Sequence, residues 1–259
     1  MKTQLVITDL TRMQRGRVCI AGYDRSRTCI RPVLPPPGIA ESDLYLNGKA
    51  IIYPFALVEL ELLQPLPEPP HTEDVLYEPN GVSFIRQVVG REQVLAWSLF
   101  DRVSDIFEQP IHSDIGFNVM DCQGPRSLGT IQPRSIEQVR YAPGERGAWD
   151  YRLSFTDAED ITYRLKITDL TWHYFCDSLR DENHDPQQIS AELSNRLHSR
   201  TVYLRIGLSR GWKQFPDRCF LQINAIYTFP DYLDGRNFAD FAQQRISDEH
   251  GQYFIEETP

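Results

Sequence analysis

WDYRLSFTDAEDITYRLKI, residues 149–167, is the stretch whose reading decides the fold. Tyr151, Leu153 and Phe155 alternate with polar residues, and Tyr163, Leu165 and Ile167 repeat the pattern a few residues later. Strict alternation over such a run marks a strand with one buried face. Asp157-Ala158-Glu159-Asp160 supplies the turn between them. The pair therefore reads as a hairpin whose apolar faces meet across the strands.

Outward from the hairpin, residues 127–141 read as a strand interrupted at Pro133. On the other side, Asp185-Pro186 is a helix start: a capping residue followed by proline at the first helical position. Ile189, Leu193 and Leu197 keep a spacing of four along that helix. Residues 201–208 and 219–229 read as two closing strands. Strand, hairpin, helix and two strands is the order of an OB-fold, a five-stranded Greek-key barrel with a helix after its third strand.

The first half carries enough strand signals for a second barrel. Short apolar runs lie at 5–10, 18–21 and 29–33, a longer one at 50–63 is bent at Pro54, and another spans 81–89. Residues 64–72 are a stiff, solvated Pro-rich connection that places His71 in water. Val94, Trp97, Phe100, Val103 and Phe107 predict one helix over residues 92–108, ended by Pro110. The expectation is a mostly-β protein of two tandem OB-like Greek-key barrels with a few helices. Residues 1–118 would form the first barrel with a C-terminal helix, and residues 119–259 the second.

Ile7-Thr8-Asp9-Leu10-Thr11 recurs as Ile167-Thr168-Asp169-Leu170-Thr171. The flanking residues do not correspond, so the repeat reads as coincidence or as a shared strand-end turn.

A chain of 259 residues, 41% hydrophobic and 24% charged, has room for two ordinary globular domains. No apolar run approaches the roughly 20 residues of a membrane span. Asp9 interrupts an opening stretch too short for a signal peptide. A cytoplasmic protein without a membrane partner is expected. Cys19, Cys29, Cys122, Cys176 and Cys219 are odd in number and form no C-x-x-C pair. They read as small buried hydrophobes rather than as a disulfide framework or a zinc ribbon.

A net charge of −9 argues against a protein that coats DNA, yet it allows a local basic groove. Arg12, Arg15, Arg17, Arg25, Arg27 and Arg31 are opposed within residues 12–31 only by Asp24. Arg200, Arg205, Arg210, Lys213 and Arg218 form a second concentration, opposed only by Asp217. Planar guanidinium forks suit phosphates and base edges. Ser209-Arg210-Gly211-Trp212-Lys213 sets an indole between two cations in the loop joining strands four and five, a loop that OB-folds use on oligonucleotides. Stacking on such a ring is worth about 1–3 kcal/mol per base. The loop joining strands one and two adds Arg146 and Trp149. Tyr23, beside Asp24 and Arg25, is a further stacking candidate. The expected nucleic-acid contacts are Arg12, Tyr23, Arg25, Arg27, Arg31, Arg146, Trp149, Arg210, Trp212 and Lys213.

For chemistry the sequence offers little. It has no Walker A loop, G-x-G-x-x-G, H-E-x-x-H or G-x-S-x-G. Trp172-His173-Tyr174-Phe175 reads as a partly buried aromatic segment at a strand end, which makes His173 and Cys176 structural. Asp177, Asp181, Glu182, His184 and Asp185 read as a solvated loop with a helix cap. No catalytic residue, metal or cofactor is expected. The expected partner is nucleic acid, single-stranded or structured, with a protein partner encoded nearby as a further one. A nucleotide-recognising enzyme or sensor and a protein-interaction module are the alternatives.

The opening LVITDLTRM followed by Cys-Ile-Arg-Pro, and the closing YLRIGLSRGW followed by FLQINAIYTFPDYL, resemble bacterial proteins with a dual OB-containing domain. The resemblance covers nearly the whole chain. It implies two OB barrels in tandem and a nucleic-acid role connected with conflict or defence systems. It brings no catalytic residues.

Overall fold

A computed structural model describes residues 1–120, 122–144, 147–182 and 184–242. The first half forms β1 (Lys2–Arg12), β2 (Val18–Tyr23), β3 (Cys29–Val33), a small hairpin of β4 (Tyr45–Leu46) and β5 (Lys49–Ala50), β6 (Ala56–Pro65) and β7 (Asp74–Gln87). Strand β1 serves two neighbours in turn. Its start, Lys2–Val6, pairs with β6, and its remainder, Val6–Arg12, pairs with β2. With β3 and β7 running parallel from Arg31 opposite Asp74, the ring β1-β2-β3-β7-β6 closes. Leu5, Ile7, Leu10, Ile20, Val58, Leu60 and Tyr77 fill it. A bulge between Ile7 and Asp9 shifts the alternation from Leu5 and Ile7 to Leu10.

The second half repeats this plan. Its elements are β10 (Leu128–Ile131), β11 (Ser135–Pro143), β12 (Trp149–Thr156), β13 (Thr162–Ile167), α3 (Leu170–Asp181), α4 (Pro186–His198), β14 (Thr201–Leu208) and β15 (Arg218–Phe229). They follow the order β11-β12-β13-β15-β14-β10, with β13 and β15 parallel. Strands β10 and β11 act as one strand broken at Pro133: β10 pairs with β14 and β11 with β12. This is the division of labour that β1 performs without a break, and the expected interruption at Pro133 is where it falls. The free edge of β11 is met by α4, whose Ser194 and Ser190 hydroxyls accept from Val139 N and Tyr141 N, each at 2.9 Å. Edge amides are thereby satisfied without another strand. The expected mostly-β architecture of two OB barrels holds.

Several local readings do not. Residues 92–108 are not one helix. They divide into α1 (Arg91–Leu95), a 3-10 turn at Ala96–Ser98, β8 (Leu99–Phe100) and α2 (Val103–Phe107). Leu99 and Phe100 pair in parallel with Thr130 and Ile131, and Val103, Ile106 and Phe107 enter the second core. The apolar run 50–63 is cut between β5 and β6 by Phe55, which sits at φ +64°. Residues 172–175 lie in α3, not at a strand end, because Asp169 caps that helix by accepting from Thr171 N at 2.9 Å and Trp172 N at 3.3 Å. Asp177 and Asp181 belong to the same helix, and Asp177 is buried.

Cys122 and Cys219 form a disulfide across 97 residues, with Cα atoms 5.4 Å apart, against the expectation of free thiols. The reason is β9 (Asn118–Met120), which pairs with Arg218–Phe220 of β15 and carries the two cysteines together. Cys19, Cys29 and Cys176 are free. His71, expected in water, is 3% exposed. The two repeated segments face each other: Thr11 bridges to Asp169, and Arg12 N donates to Thr168 O at 2.7 Å. No described helix is long and apolar enough to cross a membrane.

Candidate nucleic-acid interface

The arginines sort by what β-strand alternation and barrel contact do to them. Arg205, on β14, is 0% exposed. Its Nη2 lies 2.8 Å from Asp9 Oδ2, and its Nη1 donates to Tyr23 Oη, Ser98 Oγ and Thr130 Oγ1 at 2.8–2.9 Å. These partners span both barrels, so the residue that looked like part of a basic cluster is the centre of the seam. Tyr23, 2% exposed, belongs to the same network and meets the Trp97 ring edge-on at 5.8 Å. It cannot offer a face to a base, which corrects that expectation.

A second convergence lies at Asp74. Arg31 Nε donates to its Oδ1 at 2.5 Å, while Arg210 Nη2 donates to its Oδ2. Arg31 is 6% exposed and holds no surface position, again against expectation. The end of the loop joining β6 to β7, residues 70–73, is pressed into this region. Glu73 accepts from Ser127 N at 2.7 Å and Ser127 Oγ at 3.0 Å, and Thr72 donates to Pro125 O at 2.6 Å. Burial, with Arg31 and Arg210 close by, pushes the His71 imidazole down to about 3. It is neutral at physiological pH and adds no charge.

The corresponding loop of the second barrel, residues 209–217, reaches back to Asp74 through Arg210, and beyond that contact it is largely exposed. Trp212 is 55% exposed. Trp212 N donates to Phe215 O at 3.2 Å and Phe215 N to Trp212 O at 2.8 Å, which folds the loop back on itself. Gly211 is required there, since a Cβ would lie 2.2 Å from Pro216 O. The indole rests against Phe215 and Phe220 at centroid distances of 6.1 Å each, tilted to the first and edge-on with the second, so two rings hold its position. Lys213 is exposed and forms no ion pair among the described residues.

The other expected contacts are scattered. Arg25 is exposed and donates to Gln4 Oε1 at 2.8 Å. Arg27, exposed at φ +64°, lies 5.7 Å over the Trp97 ring. Arg12 reaches Asp177 at 3.9 Å. Trp149 is stacked on Tyr141 at 4.6 Å with Arg180 over its ring at 4.8 Å, so it is held within the barrel end. Arg146 lies outside the described residues. Arg218 is committed to Asp114 at 2.7 Å. The two basic segments do meet, at Arg31 and Arg210, but they meet on a carboxylate. Phe215 and Phe220 were missed; the Trp-x-x-Phe spacing in a loop was the available signal. Asp74 had none.

A small cleft between the barrels, of about 30 Å³, is lined by Tyr53, Phe55, Arg91, Asp169, Tyr227 and Arg236. Burial pushes Asp169 up to about 7, although Thr171 N, Trp172 N and Ile226 N all donate to it. Those bonds explain the residue as a helix cap tied to β15. Among the described residues, no cluster of His, Cys, Asp and Glu could hold a metal ion.

A closed five-stranded ring and a second sheet of the same strand order, each with its first strand shared between two neighbours, define a tandem OB-fold protein. The chain belongs to the family of dual OB-containing domains, whose model matches residues 3–226. Among solved structures it is similar to a chain described as a replication protein A heterotrimer bound to ssDNA, at 10% identity and a TM-score of 0.36. That superposition covers 87% of this chain and 49% of the other, so the chain spans about half that relative's length. So loose a likeness does not by itself establish a shared fold. No curated protein matches the chain.

Proposed function

We propose that the protein binds single-stranded nucleic acid through residues 209–217 of its second barrel and does no chemistry on it. The observation that carries this reading is the supported, outward Trp212 beside Lys213 on a loop that OB-folds use for oligonucleotides. A ring held on two others loses little freedom when a base stacks on it, and stacking tolerates any sequence. Arg25 and Arg27 are further exposed cations for the phosphate backbone. A bacterial defence or conflict setting is the one that the family resemblance implies, and a cytoplasmic one is the sequence expectation. The unit boundary that we propose lies near Gly90 rather than at 118, because Leu99–Phe107 packs with the second core.

The test is an anisotropy titration of labelled oligothymidylate at low and at moderate salt. Binding that weakens steeply with salt, by counterion release, and that falls in Trp212→Ala supports the proposal. Absent binding, or binding indifferent to Trp212, refutes it.

A further inference from the structure

Asp74 opens β7 and is 3% exposed. A guanidinium that meets a carboxylate side-on uses Nε and Nη2 together, one on each oxygen. Arg31 holds Oδ1 through Nε, but the second oxygen is taken by Arg210. Arg31 Nη2 is left buried without a hydrogen-bond partner. A buried donor in that condition is costly. The cluster therefore has a second arrangement within reach. Once Arg210 withdraws, Asp74 can turn both oxygens to Arg31, and the orphaned Nη2 gains its acceptor. The loss of one ion pair is offset by completion of the other.

Arg210 is free to make that move. Its side chain is 52% exposed, and Trp212 follows two residues later on the same loop. Of the other carboxylates nearby, only an exposed one pairs with it, and loosely. Glu73 has both oxygens on Ser127, and Glu68, 81% exposed, is 3.8 Å from Arg210.

We infer that Arg210 is a phosphodiester-binding residue stored on Asp74, which acts as an internal competitor for the ligand's phosphate. On binding, Arg210 leaves the carboxylate for the phosphate adjoining the base stacked on Trp212, and Asp74 closes onto Arg31. This rests on the reading of Trp212 given above. Differential contact in the two states is what lets a ligand shift such an equilibrium.

The experiment is a titration of labelled oligothymidylate with wild type, Arg210→Gln, Asp74→Asn and Trp212→Ala over a series of salt concentrations, with a melting curve for each. The expected results are several-fold weaker binding by Arg210→Gln, with its log–log salt slope reduced by about 0.7, and several-fold tighter binding by Asp74→Asn. A change of slope separates a phosphate contact from a merely structural role. Arg210→Gln that binds like wild type in both affinity and slope overturns the inference, whether or not Asp74→Asn folds. So does a folded Asp74→Asn that binds more weakly. Wild type that does not bind, or Trp212→Ala that binds as well as wild type, refutes the functional reading itself.

Discussion

The loop joining strands four and five occurs twice in this molecule, and the two copies have opposite fates. In the first barrel, the end of the loop, residues 70–73, packs against the second barrel with His71 and Glu73 buried, while residues 66–69 stay exposed. In the second barrel, the loop of residues 209–217 keeps only Arg210 on the first barrel and leaves Trp212 outward. The same place in the same topology serves as mortar in one barrel and as a surface in the other. Joining two OB barrels through the loop of one uses up that barrel's binding position. A tandem of like folds is therefore not a tandem of like sites.

The seam and the exposed loop should respond differently to substitution. The largest effect is expected at the seam's centre. Arg205→Ala leaves Asp9 buried and unpaired, which should lower unfolding free energy by about 3–5 kcal/mol in denaturant melts. A near-neutral result would mean that the barrels are not held together there. In the buried loop, Glu73→Ala removes the acceptor of Ser127 N and Oγ and should cost about 1–3 kcal/mol of stability. The free loop should answer differently. Trp212→Ala should lose about 1–3 kcal/mol of oligonucleotide binding, with stability changed by less than about 0.5 kcal/mol, as for ordinary surface substitutions.

His71 sharpens the contrast through pH. Its folded pKa, about 3, lies below the ordinary histidine value. Between those values the unfolded chain binds the extra proton, so stability is present near neutrality and falls as pH drops from about 6.5 towards 3. The slope is at most about 1.4 kcal/mol per pH unit for this residue. Melts of His71→Gln across that window should be flatter than wild type; an unchanged profile would mean that His71 is hydrated. The smallest effect is at Lys213. Lys213→Gln should reduce the magnitude of the binding salt slope by about 0.7 and leave melting unchanged.

Much of the fold was legible, and the parts that were not share a cause. Tyr151, Leu153 and Phe155 alternate because one face of β12 is buried and the other wet, and that contrast is written in the sequence. Helix α3 lacks such a contrast. Leu170, Trp172, His173, Phe175, Cys176 and Asp177 are all buried, so no polar stripe marks a period. Its one signal, the capping Asp169, was masked by the likeness to residues 7–11. Residues 92–108 show the reverse error. Apolar spacing imitated a helix, while the deciding contact, Leu99 against Thr130, lies in another element.

The candidate site was legible where the residues act locally, as Trp212 and Lys213 do on one loop. It was illegible where charge is cancelled at a distance. Counting acids within residues 12–31 and 200–218 finds Asp24 and Asp217, and it misses Asp9 on Arg205 and Asp74 on both Arg31 and Arg210. A basic concentration along the chain is a statement about sequence neighbours. The field at a surface is set by neighbours in space.

The proposed interface is defined by which ring meets the ligand. The chain has four tryptophans, so fluorotryptophan NMR should give one resonance each, with Trp212 assigned by its loss in Trp212→Phe. Titrated with oligothymidylate, the Trp212 signal should shift and saturate while those of Trp97, Trp149 and Trp172 hold their positions. A stationary Trp212 signal, with movement at Trp149 or Trp97 in its place, would contradict the assignment of the interface to the second barrel's free loop.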